Sequence, residues 1–401
     1  MKTLIALALA AVVSIPSFAQ TFSLNGEIKT GIIWEKIDDW REDDSPPALV
    51  FLGSKDDAGD FGNRFRLDMG FTNAAGNMGL KARVNWEVFN NAPINGPSWD
   101  YGFAWGSFFN DQFTLSLGKL GASPWGTGQA SPVLSGGPEM WRELEVVYDI
   151  GQILSNGGIR FEYKPAFVPG ELNVGFVLNW INSNANTSID RDPTLKDVLQ
   201  ETVVGASYKN DWFMFRFAYR FDSEMDYDPV SGGQLTPYRE GGSLVYRFEE
   251  YALQRWAPGL SLWALGEFDG IGSAMPHLNF STRNWFFVQY APPSFTAQVR
   301  FGLEAERTRQ IVLVRPSFFY NLFGGLVAPG FIFGYANDFG DGKMVCGSSF
   351  SYYEVEPKVQ VNLAPGAYVA FSYYWRWENR FAPPNPEQQT QWINLRAGIT
   401  F

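Results

Sequence analysis

Apolar and polar side chains alternate residue by residue in one segment after another along this chain, and that pattern restricts it to β-structure. Phe65, Leu67, Met69 and Phe71 alternate with Arg64, Arg66, Asp68 and Gly70. Leu80, Ala82, Val84, Trp86 and Val88 alternate with Lys81, Arg83, Asn85 and Glu87. The pattern returns at Phe213–Phe221, at Ala297–Glu306 and at Glu354–Leu363. A period of two sends the two sets to opposite faces of a strand, so each segment has one greasy and one wet side. No helical period competes over comparable lengths.

Segmenting on this basis predicts strands near 22–35, 62–72, 78–89, 99–109, 112–120, 157–164, 171–181, 201–208 and 212–221. A second run follows near 241–249, 259–268, 282–290, 295–306, 310–320, 328–337, 348–363, 366–378 and 390–401. Connections after even-numbered strands are mostly short, as at 73–76, 110–111, 209–211 and 364–366. Those after odd-numbered strands are longer, as at 37–61, 121–156, 181–200 and 222–240. Two links break this rule, 307–309 and 250–258, and merging a strand pair there would lower the count from 18 to 16. The expected fold class is therefore all-β, an antiparallel barrel of 16–18 strands.

At the amino end, Met1-Lys2 precedes an apolar run from Leu4 to Ile15 and then Ser17-Phe18-Ala19. That order reads as a secretory signal peptide over 1–19, cleaved after Ala19, leaving 20–401 as the barrel domain. The remaining sequence holds no apolar run of about 18 residues, so no transmembrane helix is expected. Aromatic residues are nonetheless 17% of the chain, more than a soluble domain needs, and a membrane barrel uses them as girdles at both interfaces.

The charges divide by location. By parity Lys29, Arg64, Arg66, Lys81, Arg83, Arg160, Lys164, Arg216, Arg220, Arg247, Arg300, Arg315, Lys358, Arg376 and Arg396 face inward. Their acidic counterparts are Glu27, Asp68, Glu87, Glu162, Glu267, Glu304, Glu306, Glu354, Glu356 and Glu378. The wall is thus net basic in a chain whose formal charge is −11, because many acids, Asp38 to Asp60 and Asp222 to Asp228 among them, fall in the long connections. A charge facing lipid at mid-depth costs about 2–4 kcal/mol for Arg or Lys, so these side chains must point into the bore.

The last segment carries Ile393, Leu395, Ala397, Ile399 and Phe401 in alternation with Trp392, Asn394, Arg396, Gly398 and Thr400. A final strand ending on Phe resembles the carboxy-terminal signal of Gram-negative outer-membrane barrels, which makes Phe401, Ile399 and Leu395 the expected signal for the barrel-assembly machinery. With the signal peptide and the strand series, the mature chain resembles a Gram-negative outer-membrane porin of the general-porin kind. That resemblance implies passive diffusion of small hydrophilic solutes and ions, contact with outer-membrane lipid and lipopolysaccharide, and a homotrimer as an admissible assembly. It implies pore-lining roles for Arg64, Arg66, Lys81, Arg83, Glu87, Arg160, Arg216, Arg220, Arg300, Glu304 and Arg376. General porins fold the loop after the fifth strand into the lumen, which would bring Glu139, Glu143, Glu145 and Asp149 opposite the basic wall. The other reading of that segment is an outward loop folded over the mouth.

Other chemistry finds little support. A single Cys, Cys346, excludes a disulfide framework. A single His, His277, beside Asn279 and Ser281, is a poor start for a hydrolase triad, so no catalytic residue, metal site or cofactor is expected. Acidic balance argues against nucleic acid. The alternative function is a surface adhesin or structural protein that uses the barrel to display loops.

Overall fold

The computed structural model describes residues 21–39, 48–51, 63–88, 98–120, 124–126, 157–179, 202–221, 241–272, 280–306, 309–339, 350–382 and 385–401. The strands are β1 (Thr21–Asp39), β2 (Ala48–Phe51), β3 (Asn63–Thr72), β4 (Met78–Val88), β5 (Ser98–Phe108), β6 (Phe113–Lys119) and β7 (Gly157–Tyr163). They continue as β8 (Glu171–Asn179), β9 (Val203–Lys209), β10 (Phe213–Arg220), β11 (Gly242–Glu250), β12 (Leu260–Ile271) and β13 (Ser281–Tyr290). The last six are β14 (Phe295–Glu306), β15 (Arg309–Tyr320), β16 (Val327–Asp338), β17 (Phe350–Ala364), β18 (Ala367–Ala382) and β19 (Asn385–Thr400). Each strand from β3 onward pairs antiparallel with the next, and β1 pairs with β19, so 18 strands close into one barrel. Short β2 adds to the upper half of β1, Ile32–Glu35 against Ala48–Phe51, while β3 takes the lower half.

Both irregular links join genuine hairpins, which settles the count at the upper of the two expected values. Glu306 pairs with Arg309 across two residues, and between β11 and β12 the chain makes one 3-10 turn, Ala252–Arg255. β18 and β19 run further than their alternation suggested. Gln388, Gln389 and Gln391 offer no apolar period, yet they pair with Asp39, Asp38 and Lys36 on one side and with Glu378, Trp377 and Trp375 on the other. Backbone pairing carries the strand where side-chain pattern is silent. In the tight β5–β6 turn, Asn110 and Asp111 sit at φ 55° and 62°, a region their short polar side chains tolerate.

Two faces result. The outer one is apolar and exposed, with Leu24, Ile28, Phe215, Phe248, Phe301, Phe331, Phe371, Leu395 and Ile399 among its members. Aromatics gather at its two ends: Phe109, Phe167, Trp212, Trp256 and Phe323 at the short turns, and Phe221, Phe280 and Phe339 at the opposite end. Arg255 lies over the Trp212 ring at 4.5 Å. A contiguous apolar belt of this extent would aggregate in water and suits lipid. Among the described residues no helix is long and apolar enough to cross a membrane; strands do the crossing in a barrel.

The seam is completed by the last residue. The Phe401 N–H donates to the Gly26 carbonyl at 2.9 Å, and the Gly26 N–H donates to the Phe401 carbonyl at 2.8 Å. A Cβ at Gly26 would collide with the Phe401 ring, so the glycine leaves room for the aromatic to lie across β1. Either deleting Phe401 or substituting Gly26→Val is therefore expected to lower the yield of closed barrel several-fold. Heat-modifiable migration of outer-membrane fractions measures this, and wild-type yields from both variants would show that the seam does not need this contact.

Candidate functional site: the inner face of the barrel

The inner rows can be followed around the ring by register. On β3–β5 they hold Arg66, Asp68, Lys81, Arg83, Tyr101 and Phe103. Arg83 grips Asp68 with Nε to Oδ1 at 2.6 Å and Nη2 to Oδ2 at 3.2 Å, and the Tyr101 hydroxyl donates to the same Oδ1 at 2.7 Å. Arg66 Nε donates to Asn85 Oδ1 at 3.0 Å, while Lys81 is exposed. This sector keeps its charges wet.

On β7–β11 the charges are more enclosed. Arg160 Nε lies 2.9 Å from Glu162 Oε1 and its guanidinium stands over the Phe103 ring at 5.4 Å. Arg216 and Arg247 are register partners, two like charges side by side. Glu249 relieves them, accepting from Arg247 Nε at 2.6 Å and from the Tyr251 hydroxyl at 2.7 Å. Tyr251, in the short turn beyond β11, has its phenol pushed up to about 12 by burial and by that hydrogen bond to Glu249. It stays a neutral donor at any working pH.

The third sector, β14–β19, carries Arg300, Arg315, Glu354, Glu356, Lys358, Arg376 and Arg396. Arg300 and Arg315 are register partners, as are Glu354 and Arg376. Arg315 Nε lies 3.0 Å from Glu354 Oε1, with 3% and 2% of their side chains exposed. Lys358 is within electrostatic range of Glu356, against the repulsion of Arg396 and Arg315.

Between these sectors runs an unexpected row. Val177, Val203, Ala218, Val245, Leu265, Trp285, Leu313 and Ala336 belong to one buried cluster on the inner face of β8–β16. Val177 pairs with Val203, Ala218 with Val245, Leu265 with Trp285 and Leu313 with Ala336, so the row circles half the wall. All are at most 3% exposed, so water does not fill the bore against them. Trp125, past the end of β6, joins the same cluster.

Of the residues expected to line the pore, Arg66, Lys81, Arg83, Arg160, Arg216, Arg220, Arg300 and Arg376 fall on inner-row positions. The rows of Lys29, Arg64, Glu87, Glu304, Glu306 and Glu378 are also inner by register, but their side chains lie outside the described residues. So do Glu139, Glu143, Glu145 and Asp149, and residues 1–20, His277 and Cys346. Lys164 sits in the turn after β7 and is exposed there. Sequence reasoning missed Arg283, Asp269 and Glu249. Arg283, 3.4 Å from Glu267, was hidden because Trp285 and Phe287 share its row while Phe286 and Val288 face outward, leaving no contrast. No group of ligands that could hold a metal occurs among the described residues.

No family model matches this sequence, and no curated protein matches it either. Solved structures do. The outer membrane channel DcaP of Acinetobacter baumannii superposes with a TM-score of 0.51 at 9% identity, covering 96% of this chain and 98% of its own. The chain shares the fold of that protein, a closed antiparallel β-barrel. A Rhodopseudomonas blastica porin mutant (TM-score 0.46, 13% identity, 95% and 100% covered) and a loop-deletion mutant of OmpT, an outer membrane protein of Vibrio cholerae (0.47, 12%, 96% and 100%), are also similar.

Within the barrel, the Arg315–Glu354 pair gives a sharp test. Removing one member of a buried pair strands the other, at a cost of about 3–5 kcal/mol. Glu354→Leu is expected to cost more than Arg315→Leu, because it takes this carboxylate from both Arg315 and Arg376, the register partner of Glu354. The double variant should recover part of the loss. Urea unfolding in lipid vesicles measures the order, and an exposed, dispensable pair would show no loss in any of the three.

Proposed function

We propose that the chain is an outer-membrane channel through which small hydrophilic solutes and ions diffuse passively. The observation that carries this reading is the separation of surfaces: an apolar, aromatic-edged exterior around an interior whose rows carry Arg66, Lys81, Arg83, Arg216 and Arg376. A closed 18-strand ring is wider than the eight strands whose side chains fill their own interior. The likeness to the DcaP channel supports an outer-membrane channel in general terms and a channel rather than an enzyme. On this reading residues 1–19 are removed on export and the assembly machinery engages Leu395, Ile399 and Phe401. Glu139, Glu143, Glu145 and Asp149 in 121–156 then form the constriction opposite the basic wall, and the functional unit is a homotrimer.

Selectivity follows from which charges water can reach. Lys81 is exposed and Arg66 and Arg83 are half-buried, whereas Arg315 and Arg396 are buried. Arginine stays charged at any working pH, and a narrow bore screens it less than the mouth, where the Debye length is about 8 Å at physiological salt. A weak anion preference is expected in planar bilayers. Replacing Arg66, Lys81 and Arg83 together with Ser should move the reversal potential in a salt gradient toward cations. A folded wild-type barrel that passes no current would instead favour the loop-display reading. Current with an unmoved reversal potential would remove these three residues from the pore.

A further inference from the structure

We propose that Trp125 is a positioning residue that pins the chain leaving β6 to the inner wall and so sets the width of the bore beside β7–β10. Its seat is built from two strands. Gly175 on β8 and Gly205 on β9 are register partners in an inner row, so neither projects a side chain into the lumen. A Cβ on Gly175 would meet the Phe161 carbonyl oxygen and stand 2.7 Å from Trp125 Cζ2, and one on Gly205 would stand 2.6 Å from Trp125 Cδ2. The indole therefore lies flat on the bare backbone of both. Facing glycines in strand interiors are destabilising unless something approaches closely, and here the indole approaches both, joined at Gly175 by the Phe161 carbonyl.

The ring is also tethered at its polar edge. Trp125 Nε1 donates to Asn173 Oδ1 at 3.3 Å, Asn173 Nδ2 donates to Glu162 Oε2 at 2.8 Å, and Glu162 pairs with Arg160. A buried indole needs a partner for its N–H, and this one finds it on the wall rather than on its own segment. Trp125 is 0% exposed, as is Leu120, five residues earlier. Near the end of β6, Gly118 adopts φ 136°, and a Cβ there would stand 2.9 Å from the Phe103 Cα. Strand register and packing place Trp125 against the inner face of the wall. That point lies beside the enclosed Arg160–Glu162 sector and away from the wetter Arg66–Lys81–Arg83 sector, so its position decides which charges a solute passes.

The inference rests on the channel reading only for its conductance arm. Trp125→Ala removes the ring and Gly205→Val removes its seat, so both should release the same segment. Single-channel conductance is expected to rise at least about two-fold in each, with a larger saccharide exclusion limit, while Trp125→Phe keeps values near wild type. Trypsin cleavage between β6 and β7 in the folded barrel should accelerate roughly tenfold in the first two variants and not in the third. If the wild type conducts and both disruptive variants match it in conductance and cleavage, Trp125 is not a positioning residue. If the wild type is silent, the channel reading fails, and the cleavage pattern alone upholds or overturns the anchor.

Discussion

Closure of the hydrogen-bonded ring is the constraint on which the rest depends. A sheet with a free edge leaves a row of unpaired N–H and C=O groups, and in lipid each costs several kcal/mol. Here the first strand solves the problem on both flanks. β1 pairs with β19 from Glu27 to Asp39, and on its other side with β3 below and β2 above. Because the seam joins β1 to β19, the ring is closed only when these two strands pair. The reciprocal pair between Gly26 and Phe401 finishes the ladder on the outer face. The missing side chain at Gly26 is what lets the aromatic cover the seam instead of standing off it.

Once the ring is closed, the alternation of side chains forces two unlike environments onto one sheet. The middle of the exterior is apolar, so the charges at mid-strand fall on the inner rows, while outward-facing ones such as Lys36 and Glu250 lie toward strand ends. That crowding explains why like charges such as Arg216 and Arg247, or Arg300 and Arg315, become neighbours. Such pairs persist because Glu249 and Glu354 stand next to them. The acids on the wall compensate a basic surplus that the fold could not place elsewhere.

Much of this was legible in the chain because period-two alternation reports burial on one face and lipid on the other. It reports well where the two solvents differ, as in Phe65–Phe71 against Arg64–Gly70. It fails where both faces are apolar, which is why Arg283 was lost between Trp285 and Phe286. It also fails where both are polar, as in the Gln388–Gln391 run that turned out to extend β19. Trp125 was illegible for a different reason. Its seat exists only because Gly175 and Gly205 meet in register across two strands separated by 30 residues of sequence, and no local pattern encodes that meeting.

The apolar inner row changes how the lumen must be pictured. A bare 18-strand wall would present its inner residues to water, and selectivity would be the sum of their charges. Instead Val203, Ala218, Val245, Leu265 and Leu313 are at most 1% exposed, so half the circumference at that height is packed. On the β3–β5 side, by contrast, Lys81 is exposed and the Arg83–Asp68 pair is only partly covered. A field set by a few wet residues against a dry apolar wall is stronger per charge than one spread around an open ring, because the dry side screens nothing. The basic residues near Glu354 lie buried, whereas the sector of Lys81 and Arg83 is open to water.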